Sequence, residues 1–291
     1  MKQVLVIVPF PMSEENLAAR RVQLAAVELN PEMNFTFKPV RAAPRNYVSP
    51  VDMALADLGI FDAGRTAQKD GFDAVCIDTM SDSGVAALRS VLTIPVIGPG
   101  RASVLMAMML GNRFSILTMW QKWRHLYDKT LSDLGMTAAC ASIRSIDLAP
   151  DNLGLLDGKE DAIFPLLEAE AKRAITEDRA EVILLGSTTM HQAHAHLSAT
   201  LDVPVINPGP LSYKLLEAML GLGLSHSRSA HPTSPVARDD MIVAMMLGNR
   251  FSILTMWQKW RHLYDNTLSD LGMTAACASI RSIDLAPDNL G

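Results

Sequence analysis

The sequence predicts an α/β protein of two similar doubly wound parallel-sheet lobes related by pseudo-twofold symmetry, followed by a duplicated C-terminal fragment. Three observations carry that expectation. Short, continuous apolar runs alternate with helical segments, the pattern of strands buried on both faces beneath crossover helices. The order of these segments repeats once, faintly, along the chain. A second, recent repeat then makes 244–291 a copy of 107–154 with one difference, Asn266 for Lys129.

In chain order, the apolar runs place strands at 4–8, 74–77, 96–97, 115–118, 181–185 and 205–206. Helical segments fall between them at 15–29, 51–69, 120–134, 162–176 and 211–222. The faint repeat pairs "QVLVIVPFP" with "RFSILTMWQ", "FDAVCIDTMSDSG" with "AEVILLGSTTMHQ", and "IPVIGPG" with "VPVINPG". Each half therefore reads strand, helix, strand, helix, strand, and right-handed crossovers make each a wound sheet. The first lobe is expected over 1–107, with part of the C-terminal helix returning to it, and the second over 108–235. "SHSRSAHPTSP" reads as a tail or linker by composition. The slot that 244–291 would fill is already held by its first copy. The region 236–291 is therefore an appendage, a segment swapped into a partner chain, or poorly ordered; its duplication is recent or an artefact of cloning or assembly.

Hydrophobic residues make up 49% and charged residues 20%, enough for a substantial core. The net charge of -5 is spread along the chain, and no Lys/Arg stripe with interleaved aromatics appears, which argues against nucleic acid. The longest apolar stretch, "SVLMAMML", is too short to cross a bilayer, so no membrane association is expected. "MKQVLVIVPFP" lacks the long apolar region and cleavage site of a signal peptide. The 3 cysteines are far apart with no CxxC, which fits a reducing cytoplasm.

In open α/β sheets, ligands bind beyond the carboxyl ends of strands. Two such ends stand out: "CIDTMSDSG", with Asp78, Thr79, Met80, Ser81 and Asp82, and "LLGSTTMHQ", with Ser187, Thr188 and Thr189. Each leads into a helix, whose free N–H groups favour an anion. Either turn alone reads as helix-capping grammar. Their matched placement favours a cleft, with Thr79 and Ser187 on opposite sides of a bound small carboxylate or cyclic imide. Pro9 and Phe10 after the first strand would wall it, and Asn207 offers a side chain at another strand end. His191 follows Ser187 by four residues and could serve as a general base near neutrality. His191 and His194 share a helical face, but no third ligand is signalled, so no metal and no cofactor is expected. Trp120 and Trp123 suit packing or a subunit interface, compatible with a homo-oligomer.

The stretches "GPGRASVLMAMMLGNRFSILT", "CASIRSIDL", "DTMSDSG", "LLGSTTM" and "LLEAMLGLGLSHSRSAHP" together resemble the aspartate/glutamate/hydantoin racemase superfamily, nearest its hydantoin racemase branch. The resemblance implies a two-lobed fold with the site between lobes. It also implies two opposed cysteine bases, whose positions here are Thr79 and Ser187. A thiol ionises near neutrality when assisted, whereas an alkyl hydroxyl needs an adjacent base. Cys76, inside an apolar run, reads as a core thiol, and Cys140 matches a structural position. The resulting expectation is a racemase-like isomerase that binds a small carboxylate or hydantoin-like compound. Its chemistry lies at an acidic carbon by a route without cysteine, with Thr79, Ser187, His191 and Asp78 as the catalytic set. The alternatives are a non-catalytic binding or accessory protein, of the kind labelled hydrogenase-expression in this superfamily, and a lyase or decarboxylase.

Overall fold

A strand whose residues are all apolar must be covered on both faces, and β1 (Lys2–Val8) buries every side chain from Val4 to Val8. The computed structural model describes residues 1–151, 156, 158–233, 251–255, 259, 261, 263–265 and 277–282. Met1–Thr233 forms one unit, and Ser234–Gly291 another.

In the first unit, β1 is followed by α1 (Glu14–Arg21), β2 (Met33–Pro39), α2 (Pro50–Gly64), β3 (Ala74–Ile77), α3 (Val85–Val91), β4 (Val96–Ile97) and α4 (Pro99–Leu110). The second lobe repeats the plan: β5 (Phe114–Thr118), α5 (Arg124–Leu134), β6 (Cys140–Ser145), α6 (Glu160–Thr176), β7 (Val182–Leu185), α7 (Ala193–Thr200), β8 (Val205–Ile206) and α8 (Pro208–Gly221). The two four-stranded sheets have the orders β2-β1-β3-β4 and β6-β5-β7-β8. All pairings are parallel, with Ile7 opposite Ile77 and Leu117 opposite Leu185. That correspondence sets β1 on β5 and β3 on β7, as the faint repeat predicts.

Local chemistry explains the helix starts. Ser49 accepts from the Asp52 amide while Asp52 reaches back to the Ser49 amide, a capping box that opens α2. Ser13 caps α1, and Pro99 and Pro208 occupy the first turns of α4 and α8, where a missing N–H costs nothing. The two closing helices are exchanged between lobes. Tyr213 and Leu216 of α8 pack with Val4, Val6 and Val8 of β1. Val104 and Ala107 of α4 pack with Phe114 of β5 and Leu184 of β7. Each sheet is thus covered by a helix that follows the last strand of the other, which ties the lobes together.

The strands expected at 74–77, 96–97 and 205–206 are present with those bounds, and the other expected strands differ by a residue or two. β2 and β6 have no counterpart among the expected strands. Both are edge strands: β2 alternates exposed and covered residues and β6 is mostly half-buried, so neither shows a continuous apolar run. The helix expected at 15–29 stops at Arg21 and continues as a 3-10 turn, Val22–Ala26. The one expected at 51–69 ends at Gly64, and that at 120–134 begins with a 3-10 turn, Gln121–Trp123. The described part of "SHSRSAHPTSP" is not a loose linker. Arg228 Nη1 donates to the carbonyls of Arg89 and Leu92, and Ser225 Oγ to that of Thr93, closing the carboxyl end of α3.

In the second unit, β9 (Phe251–Thr255) pairs in parallel with β10 (Cys277–Ser282), placing Phe251 opposite Cys277 and Ile253 opposite Ile280. The first copy pairs Phe114 with Cys140 and Ile116 with Ile143. Near-identical sequence thus forms the same strand pair twice. How 236–291 packs lies outside the described residues.

Candidate functional site

The ends of β3 and β7 are built alike. Asp78 N donates to Ile7 O at 2.9 Å, and Gly186 N donates to Leu117 O at 2.7 Å. Asp78 therefore matches Gly186, and Thr79 matches Ser187. Both turns open onto one narrow cleft with a volume of about 30 Å3. Asp78, Thr79, Met80 and Ser81 line it from one lobe, and Gly186, Ser187, Thr188 and Thr189 from the other. Pro9, Phe10 and Tyr47 form one wall, and Trp123, Leu126 and Tyr127 another.

In each turn a hydroxyl at the first position pairs with one two residues on. Thr79 Oγ1 lies 3.2 Å from Ser81 Oγ, and Ser187 Oγ lies 2.8 Å from Thr189 Oγ1. Ser187 Oγ also accepts from the Thr189 amide at 3.2 Å, so it does cap the short 3-10 turn Thr188–Met190. Capping and cleft lining are served by the same atom. Gly186 is small because Tyr127 leaves no room: a Cβ there would lie 2.7 Å from Tyr127 Oη and 3.1 Å from Leu117 O. Tyr127 Oη donates to Gly186 O at 2.7 Å and shares a 2.8 Å bond with Thr118 Oγ1. Burial pushes its phenol well above the usual value, so it serves as a neutral donor.

Arg20 is the residue that the sequence does not disclose. Only 1% exposed, it donates from Nη1 to Asp78 Oδ2 at 3.1 Å and to Thr188 Oγ1 at 3.3 Å. Gln23 Nε2 donates to Asp78 Oδ1 at 3.4 Å, and Thr188 Oγ1 donates to the Asp78 carbonyl at 3.2 Å. One guanidinium thus bonds groups from both lobes at the cleft floor. Burial raises the Asp78 carboxyl above its usual range, opposed first by Arg20. A signal exists: Arg20 falls three residues after buried Leu17, on the same helix face, while neighbouring Arg21 is exposed. Tyr47 is a second residue beyond those the sequence points to; its Oη donates to Pro9 O at 3.0 Å and its ring stacks 5.2 Å from Phe10.

Three sequence-predicted residues lie elsewhere. Asp82, with φ 53°, turns its carboxylate onto the start of α4, accepting from Gly100 N at 2.8 Å and Arg101 N at 2.7 Å. Burial raises its pKa to about 6, with those two amides opposing. His191 is not among the cleft-lining residues; it is 7% exposed, and burial with Arg20 nearby pushes its pKa down to about 4. It is therefore neutral at pH 7 and does not titrate near neutrality as the sequence suggests. Asn207, at the start of α8, donates from Nδ2 to His191 O at 3.5 Å, away from the cleft lining. Cys76 is buried in β3, and desolvation drives its thiol well above the usual value. Among the described residues, no three His, Cys, Asp or Glu side chains gather as a metal site requires, and no helix is long and apolar enough to cross a membrane.

Two parallel α/β lobes with hydroxyl-lined strand ends facing one cleft define a class of two-lobed, cleft-binding proteins. Within it the chain belongs to the Asp/Glu/hydantoin racemase family, whose pattern its residues 11–216 match. It is 30% identical over 213 residues to a hydantoin racemase of Pseudomonas sp., covering 72% of this chain and 80% of that one. To a hydantoin racemase of Rhizobium meliloti it is 30% identical over 218 residues, covering 75% and 89%. Among solved structures, an allantoin racemase from Klebsiella pneumoniae superimposes with a TM-score of 0.73 at 28% identity, over 81% of this chain and 94% of that one.

Proposed function

We propose that this protein binds a neutral cyclic imide or ureide of the hydantoin type between its lobes and exchanges hydrogen at the acidic ring carbon without using a thiolate. The observation that carries the reading is the pair of matched hydroxyl turns, Thr79–Ser81 and Ser187–Thr189, on opposite sides of one cleft. Among the described lining residues the charged side chains are Arg20 and Asp78, and they are bonded to each other. A ligand carboxylate would have to compete with Asp78 for the guanidinium. A neutral imide needs only donors for its carbonyl oxygens, and the hydroxyls of Thr79, Ser81, Ser187 and Thr189 would supply them.

As the ring C–H loses its proton, negative charge moves to an adjacent carbonyl oxygen, where such fixed donors stabilise it. Thr79 and Ser187 take the positions that the family resemblance gives to cysteine bases, and neither hydroxyl is acidic enough to replace a thiolate alone. Asp78, adjacent to Thr79 and raised in basicity by burial, is the proton acceptor. His191, neutral and outside the lining, is not. The hydroxyls themselves favour a second reading, a binding protein of the same fold without turnover.

Calorimetric titration of the full chain with a 5-substituted hydantoin and with the matching α-amino acid tests the ligand class. Saturable binding of the hydantoin, with the amino acid at least about tenfold weaker, is expected. Preference for the amino acid would overturn the assignment.

A further inference from the structure

A second concavity is lined by residues of α3, α4 and α8 and shares no lining residue with the cleft. Its volume is about 280 Å3, near the lower end of the range of small-molecule sites. Its floor is apolar, with Met106, Leu215 and Met219, and its rim carries Leu105 and Met109. Met109 is 77% exposed, an unusual position for a large thioether on a helix that otherwise covers a sheet.

The groove also contains two guanidiniums, Arg89 and Arg101. Arg89 is held in place by donating from Nε and Nη2 to Val96 O at 3.0 and 2.8 Å, while Arg101 is exposed. The one acidic lining residue, Asp82, has both oxygens engaged by the amides of α4. Two cations against one engaged carboxylate make this a locally positive site on a chain of net charge -5. An apolar trough joined to such a site is complementary to a molecule with an anionic head and an aliphatic body.

We propose that this groove is a second binding site, for a free medium-chain monocarboxylate. The carboxylate lies at Arg89 and Arg101, and the chain lies along Met106, Leu215 and Met219. The site is independent of the reading of the cleft.

Titration calorimetry of the full chain with sodium octanoate, beside octan-1-ol and acetate, tests both halves of the recognition, with light scattering run in parallel. One-to-one saturable octanoate binding is expected, with octan-1-ol and acetate each at least about tenfold weaker. Arg101→Gln and Met109→Glu, both at exposed positions, should each weaken octanoate by at least about tenfold with the melting temperature unchanged. No saturation by about 5 mM, equal affinity for octan-1-ol, or indifference to both variants would overturn the proposal. So would a dimer that Met109→Glu dissociates and that octanoate leaves intact, since the groove would then belong to a second copy of the chain.

Discussion

Replacing Arg20 by Gln removes the guanidinium that bonds Asp78 at 3.1 Å and Thr188 at 3.3 Å, and leaves the buried Asp78 carboxylate with the Gln23 amide 3.4 Å away. Both members of the ion pair are 1% exposed. Breaking a buried pair from one side costs about 3–5 kcal/mol. For a cooperative unit of this size that corresponds to a fall in Tm of about 6–20 °C. Urea unfolding of Arg20→Gln, Asp78→Asn and the double variant measures it. The double variant should recover at least about 1 kcal/mol relative to the sum of the singles, because the neutral amide that replaces the Asp78 carboxylate no longer needs a cation. The deficit should also depend on pH. The folded pKa of Asp78 is raised, so its contribution is most favourable below the unfolded value and declines as pH rises through the folded one. Removing Arg20 removes the largest group opposing that rise, so the Arg20→Gln deficit should shrink between pH 7 and pH 4. A deficit below about 1 kcal/mol, or additive singles, would refute the inference that the two buried charges of this pair depend on each other.

Gly186→Ala should cost about 1–3 kcal/mol by urea unfolding, because its Cβ meets Tyr127 Oη at 2.7 Å, and Tyr127→Phe should relieve part of that cost. His191 has a folded pKa of about 4, so its stabilisation is present above the unfolded value of about 6.5 and is lost as pH falls toward 4, up to about 3 kcal/mol. Asp82, raised to about 6, has the opposite slope over much of that window, so unfolding of His191→Gln should show stability falling, not rising, between pH 4 and pH 6. Asp82→Ala should lower stability by about 1 kcal/mol through loss of the α4 cap. Thr79→Cys combined with Ser187→Cys should create or raise hydantoin racemisation measured by polarimetry, with no gain if the two positions do not face one ligand.

What the sequence discloses follows burial. β3 and β7 are covered on both faces, so their apolar runs mark them directly, and pairing the two runs locates Thr79 and Ser187 at equivalent ends. β2 and β6 are edge strands with mixed faces, and "MNFTFKP" and "CASIRS" carry no comparable run. Arg20 escapes notice because "AARRVQ" shows two adjacent arginines, and only the helix phase set by Leu17 separates the buried one from the exposed one. Asp82 and His191 adjoin the site in sequence, yet neither is among the residues that line the cleft. A left-handed turn swings Asp82 to α4, and the 3-10 turn after Ser187 carries His191 inward. Nothing in the local pattern specifies either turn's direction.

Action of the cleft on the acidic carbon of a neutral cyclic imide is the central claim. Incubating the full chain in D2O with a single enantiomer of a 5-substituted hydantoin, with allantoin and with α-amino acids, and following the Cα–H signal by NMR, tests it most directly. Exchange above the buffer rate is predicted for the cyclic compounds, none for the amino acids, and loss of exchange in Asp78→Asn. Exchange of the amino acids alone, or of the hydantoin at an undiminished rate in Asp78→Asn, would contradict it.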